Sequence, residues 1–238
     1  ACVVRTLKMS GLTTLFALLA GYPFAYFMAR AKKRWRTTLL LLIVIPFWTS
    51  ALMRMFGWRI FFESNGVFNG VLKWFHNLWY GFLRLFGGYA DGMPKYRPVK
   101  LLYTRGLVLF GMVYTMLPFM VLPIYSSVEK QDVSLREASR DLGANPFVSF
   151  LTVSLPLSLP GAISGCVLVF VPSMGLFFVN QILGGGKVNY LGDLIDYYIK
   201  GGRDWALSAA MSITILVLTF LSMAIYRRFS GGDEMGVF

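Results

Sequence analysis

The chain has 238 residues, of which 56% are hydrophobic, 16% aromatic and only 14% charged. A soluble domain carries about 25% charged residues, so an ordinary soluble globule and a disordered chain are both excluded, as is a disulfide scaffold with Cys2 and Cys166 as its only thiols. The net charge of +12 would suit nucleic acid if it formed one basic surface, but the lysines and arginines sit between apolar stretches, which makes the lipid bilayer the partner and leaves no nucleic-acid stripe.

Five stretches contain no Asp, Glu, Lys or Arg: Met9–Ala29, Thr37–Met53, Gly106–Val128, Leu142–Gly186 and Trp205–Tyr226. Crossing a bilayer takes about 20 helical residues. The first stretch, holding Pro23, meets that length. It ends in the short basic turn Arg30, Lys32, Lys33, Arg34 and Arg36, which the positive-inside bias places in the cytoplasm. The second stretch, with Pro46, is near the lower limit of about 17 residues, and Arg54 can extend it by snorkelling.

An external loop follows at 54–105. Within it Val67, Val71, Trp74, Phe75, Leu78, Phe82 and Phe86 recur at helical spacing, opposite Lys73, Asn77, Tyr80 and Arg84. This predicts an amphipathic helix on the outer interface, then a Gly/Pro turn region at Gly87–Pro98. The third span carries Pro118 and Pro123, which packed membrane helices tolerate. The fourth stretch is too long for one span. Pro146, Pro156 and Pro160 divide it, leaving Gly161–Leu183 as the membrane helix, with Gly161 and Gly165 as a close-packing pair. The fifth ends at Arg227 and Arg228, which puts the C-terminus in the cytoplasm. The reading is an all-α integral membrane protein, one domain over 1–238, with five spans.

No catalytic residue or metal site is legible. His76 is the lone histidine and reads as an interfacial residue. Gly184-Gly185-Gly186-Lys187 lacks the features of a phosphate loop, because Gln181 and Val188 stand where Gly and Ser or Thr are needed. The chain is read as no enzyme, without a cofactor of its own.

The cytoplasmic loop at 129–156 is the most informative segment. Ser134 and Glu137 are spaced as a capping box, Leu135, Ala138 and Leu142 form an apolar stripe, and Gly143 is placed to end the helix in a left-handed conformation. Asn145-Pro146 offers a cap and first-turn proline for a second helix. Glu137-Ala138-Ser139, Gly143, then Val153-Ser154-Leu155-Pro156 resembles the EAA motif of type I ABC importer permeases, with Ser139 in place of Ala and Val153 in place of Ile. Ile45-Pro46-Phe47-Trp48-Thr49, Leu117–Tyr125, Pro160-Gly161-Ala162-Ile163 and Met174-Gly175-Leu176-Phe177 are similar to the permeases of spermidine/putrescine importers within that family.

The resemblance implies a type I importer transmembrane domain in the cytoplasmic (inner) membrane. It implies that Glu137, Ala138, Ser139, Gly143 and Pro156 couple the permease to ATPase subunits, which hold ATP and Mg. Its other implied partners are a homologous second permease, a second copy of the ATPase and an external substrate-binding protein. Such permeases carry one more N-terminal membrane helix than this chain, which also lacks a starting Met. They tend to be acidic where this chain has Gln181.

A polyamine pathway needs carboxylates and aromatic faces. The candidates are Trp48, Phe177, Gln181, Tyr190, Asp193, Asp196 and Tyr197. Asp193, Asp196, Tyr197 and Lys200 share one face of an outer helix, either at the pathway mouth or as a solvated face with an Asp196–Lys200 pair. Trp48 reads either as a belt residue in the outer half of its span or as a pathway residue. A permease for another small solute, an ion channel and a membrane scaffold stay open on composition alone, and the EAA segment is what separates the first from the other two.

Overall fold

The computed structural model describes residues 2–85, 96–202 and 204–229, and among these every regular element is helical. The Phe86 position, most of the turn region expected at 87–98, Arg203 and the tail beyond 229 lie outside the described residues.

Helix α1 (Cys2–Arg30) is the first span and leads by a short basic turn to α2 (Lys33–Val44). A tight 3-10 turn, Ile45–Trp48, and extended Thr49 then precede α3 (Ala51–Phe62). The second expected span is therefore broken: Lys33–Trp48 and Ala51–Leu83 meet at 92°. Pro46 supplies no N–H to the helix ladder, and its carbonyl accepts from Thr49 Oγ1 at 2.7 Å and Arg54 Nη1 at 3.1 Å. Arg54 does not snorkel outward. Its guanidinium folds back over the Phe47 ring, 4.2 Å from the centroid.

Helix α4 (Val67–Leu85) is the expected amphipathic helix. Trp74, Phe75, Leu78, Trp79 and Phe82 are all exposed, which suits an apolar interface rather than water. His76 stacks against Tyr80 and Tyr96, a packing role. Beneath it, Asn69 ties the helix to the strand-like segment at 96–100 through bonds to Tyr96 and Val99.

Helix α5 (Arg105–Glu129) is the central span, continuous through Pro118 and Pro123. The connection continues with α6 (Val133–Asp141) and α7 (Pro146–Ser149), then a π-helical turn, Phe150–Ser154, runs without interruption into α8 (Leu155–Ser173). The fourth span thus starts earlier and stops sooner than Gly161–Leu183. Pro156, which has no N–H to donate to the helix ladder, follows directly on the π-helical turn, and the helix ends one residue after Pro172. Gly161 and Gly165 do allow close approach: a Cβ on Gly161 would lie 2.6 Å from Pro123 O, and one on Gly165 2.9 Å from Met120 Sδ. Around this contact α1, α5 and α8 bury Ala25, Met28, Met120, Ile124 and Val169.

After a break at 174–176 come α9 (Phe177–Gly184) and α10 (Leu191–Tyr197), joined through a second π-helical turn to α11 (Trp205–Phe229). Among the described residues four helical segments are long and apolar enough to cross a membrane, Cys2–Arg30, Arg105–Glu129, Pro146–Ser173 and Trp205–Ile225, with the bent pair as a fifth.

Candidate functional site: a two-helix elbow and a helical hairpin

Helices α6 and α7 form a two-helix elbow. The cap of α6 is Asp132, whose carboxylate accepts from the Ser134 N–H at 2.9 Å; Ser134 is already inside the helix, so the expected capping box does not form. That bond, from the Ser134 backbone first and its side chain second, holds the Asp132 carboxyl below the usual range. Gly143 ends α6 with φ +87°, and its N–H reaches Arg140 O at 2.9 Å. The space around a Cβ there is open, so the demand for glycine is conformational. Asn145 caps α7 through Val148 N at 2.8 Å, with Pro146 next to it as expected.

Ser139, the departure from the family's alanine, meets the buried Ser149 hydroxyl at 2.6 Å and so ties the two arms of the elbow. Glu137 and Ala138 are exposed, and Pro156 is exposed at the base of α8. Leu142 at 89% and Phe147 at 69% exposure leave the elbow with an apolar tip. Its other side is anchored, with Gln131 Nε2 donating to Ser154 O and Arg30 Nη2 to Ser154 Oγ.

Beyond the far end of α8, α9 and α10 fold into a hairpin that separates the two candidate carboxylates. Asp193 is buried, its Oδ2 accepting from Asn180 Nδ2 at 2.7 Å and the Tyr190 N–H at 3.0 Å. Its Oδ1 is buried without a hydrogen-bond partner. Burial raises the Asp193 carboxyl to about 6, against the two bonds that favour its charged form. The solvated shared face expected from the sequence therefore loses Asp193. Tyr190 is buried beside it, and Leu191 N donates to Thr6 Oγ1 at 3.0 Å, docking the hairpin on α1.

Asp196 is the carboxylate on the open side. It accepts from Gln181 Nε2 at 3.0 Å and pairs with Lys200 Nζ at 2.6 Å. Partial burial opposes its ionisation, yet the bonds from Lys200 and Gln181 outweigh it and hold the carboxyl below its ordinary range. Lys200 Nζ also stands 5.7 Å from the Phe177 ring centroid. Phe177, Gln181 and Asp196 are thus brought together, with exposed Tyr197 next in the helix. Trp48 shares none of the hairpin's hydrogen bonds or ring contacts. It is 80% exposed at the α2–α3 break, beside Phe47, whose ring meets Phe119 near the middle of α5. Asn180, the donor that organises the hairpin, carried no local signal in the sequence.

The exposed two-helix elbow runs on into an apolar helix long enough to span a membrane, the arrangement that the EAA resemblance implies for the transmembrane subunit of an ABC importer. Residues 21–231 match the model of the binding-protein-dependent transport system inner membrane component, and the chain belongs to that family, the permeases of type I ABC importers. Its relatives include the spermidine/putrescine transport system permease protein PotB of Escherichia coli (strain K12), 40% identical over 96% of this chain and 77% of the relative, and that of Haemophilus influenzae, 42% identical over 95% and 73%. The inner membrane ABC transporter permease protein YdcU of Escherichia coli is 29% identical over 98% and 72%. The fold matches a bacterial ABC transporter that imports the acidic polysaccharide alginate, with a TM-score of 0.73, 16% identity, and 98% and 79% of the two chains covered. It also matches the inward-facing MetNI methionine ABC transporter, with a TM-score of 0.63, 17% identity, and 94% and 91% covered.

Proposed function

We propose that this chain is a permease subunit of a polyamine importer, passing spermidine or putrescine through the inner membrane by alternating access. It works beside a homologous second permease, with two ATPase subunits that hold ATP and Mg and an external substrate-binding protein. The observation that carries the reading is the Phe177–Gln181–Asp196 cluster: an aromatic face and an ionised carboxylate on the open side of the outer hairpin, the two groups that attract an alkylammonium. The likeness to PotB over 96% of the chain supports the same solute class.

Lys200 occupies that carboxylate, and its charge opposes a cationic solute. The pair is an i,i+4 contact in which Lys200 is exposed and the Asp196 side chain is only 15% exposed, so the flexible ammonium swings into water while the carboxylate stays in place. A substrate ammonium then takes the place of Lys200 as the partner of Asp196. Asp193 shapes the hairpin and leaves Asp196 to face the solute.

Coupling runs through the elbow. Its apolar tip, with Glu137, Ala138 and Gly143, docks on an ATPase subunit. Because α7, the π-helical turn and α8 are continuous from Pro146 to Ser173, a displacement of the elbow moves a rod about 40 Å long at 1.5 Å per residue, whose far end leads into Phe177. The basic turn at Lys32–Arg36, the elbow and the C-terminus are cytoplasmic in this scheme, and Lys187 is external.

The test is ATP-dependent uptake of labelled spermidine and putrescine by the reconstituted complex with its binding protein. Uptake of neither, alongside uptake of another solute, rejects the polyamine assignment. Single cysteines at Lys33 and Lys187, in a chain without Cys2 and Cys166, probe the topology with an impermeant thiol reagent; labelling of position 33 from outside rejects it.

A further inference from the structure

We infer that the cavity between the coupling helix α6 and the cytoplasmic ends of α1, α2 and α5 binds a phosphate-bearing anion at the inner membrane surface. The cavity has a volume of about 300 Å³, and its charged lining is Arg30, Arg36, Arg136 and Arg140 against Glu129 and Asp132. The inference is independent of the polyamine reading, since it concerns the opposite end of the molecule.

The charges in this cavity do not balance. Arg36 is matched by Glu129, Nη1 to Oε1 at 3.2 Å. Asp132 is committed to the cap of α6. Arg30 has neutral partners, the Ser154 hydroxyl at 3.1 Å and the face of Tyr26 at 3.8 Å. Arg136 and Arg140 make no ion pair among the described residues. They are one helical turn apart, where like charges destabilise a helix, and both repel Arg30 electrostatically. Three guanidiniums thus converge on one partly open space beside two exposed carboxylates, Glu129 paired with Arg36 and Asp132 bonded in the α6 cap. A dianionic or monoanionic phosphate group relieves that repulsion, and the planar fork of arginine matches phosphate oxygens in a way lysine does not.

The location narrows the source. The cavity opens at the cytoplasmic ends of Cys2–Arg30 and Arg105–Glu129, both membrane spans, where headgroups of anionic lipids gather and attract basic residues. An anionic lipid headgroup and free phosphate share the chemistry. An occupant there touches α1, α5 and α6 together, so it links the position of the coupling helix to the lipid surface.

The experiment uses the complete permease–ATPase complex. It is purified from nanodiscs of phosphatidylcholine with or without phosphatidylglycerol, and retained lipid is counted by native mass spectrometry. In parallel, the delipidated complex is melted in inorganic phosphate or in chloride at equal ionic strength. Severalfold loss of phosphatidylglycerol retention in Arg136→Gln/Arg140→Gln, with partial recovery in Arg136→Lys/Arg140→Lys, supports the site and identifies lipid as the source. A melting shift in phosphate that the Gln variant loses, without lipid retention, supports the site with a soluble anion. Equal lipid retention and equal phosphate response in wild type and variants overturn the inference. So does loss of the ATPase from the Gln variant with lipid retention unchanged, because the arginines then face a protein carboxylate. Arg136→Gln alone repeats the measurement if the double variant does not assemble.

Discussion

The elbow at 132–149 and the hairpin at 177–200 sit at opposite ends of the same rod and are built by opposite means. The elbow is assembled from neighbours: Asp132 caps two residues away, Gly143 turns the chain, and Asn145 caps three residues on. It buries little, and its apolar tip is exposed. The hairpin is held by groups distant in sequence, with Asp193 against Asn180 and Leu191 against Thr6, and the Asp193 carboxylate that organises it is buried. Local propensity is enough to shape a segment that stays exposed. A segment whose polar groups are buried needs bonds that water does not reach.

Breaking the elbow has the largest expected effect. Gly143→Val places a β-branched residue at φ +87°, where an L-residue is penalised by about 1–2 kcal/mol and branching adds crowding. The expected outcome is a subunit that inserts normally while substrate-stimulated ATP hydrolysis is lost, measured on the purified complex. Gly143→Asn, which tolerates the left-handed region, retains a measurable part of it.

Within the hairpin the two carboxylates are expected to differ in kind. Asp196→Asn lowers the maximal rate of polyamine uptake severalfold, with complex assembly and basal ATP hydrolysis unchanged. Asp193→Ala leaves the Asn180 amide and Tyr190 N–H without their acceptor, a loss of about 1–3 kcal/mol, and lowers the melting midpoint of the complex instead. Equal loss of uptake and equal melting for the two variants would falsify the division of roles.

The pH dependence of that midpoint is a smaller effect. The Asp193 carboxyl is raised to about 6 in the fold from 3.8, so the folded protein holds a proton that the unfolded chain has released between those values. Stability therefore falls as pH rises from about 4 to 6, and the full penalty persists above 6. Asp193→Asn is expected to flatten the slope across this window; a slope unchanged in the variant assigns it to other groups.

The smallest effect is at Ser139. Its bond to Ser149 spans the elbow at 2.6 Å, and a net hydrogen bond is worth about 0.5–1.5 kcal/mol. Ser139→Ala and Ser149→Ala should each lower ATPase stimulation slightly, and the double variant no further than either single one, when all are assayed side by side.

The elbow was legible because its signals are short-range, and the apolar spans because hydropathy needs no partner. The α2–α3 break was less so. Pro46 was visible, but other prolines, Pro118 and Pro123, sit inside an unbroken helix, and what distinguishes Pro46 is Arg54 returning to its carbonyl. The end of α8 was misplaced for a similar reason, as the apolar run continues past Ser173 while the backbone does not. Asp193 read as one of two equivalent acids because its neighbour Asn180 is thirteen residues away, beyond any local periodicity.

The π-helical turn at Phe150–Ser154 gives the spacing of the EAA segment a mechanical meaning. Each residue in a helix advances the angular phase by about 100°, and a π turn takes up an extra residue without lengthening the rod in proportion. The interval between Gly143 and Leu155-Pro156 therefore sets the dihedral orientation at which the elbow leaves the membrane, much as tooth count sets the timing of a gear. Deleting one residue between Phe150 and Ser154 would leave every contact type available and still aim the exposed apolar tip in a different direction.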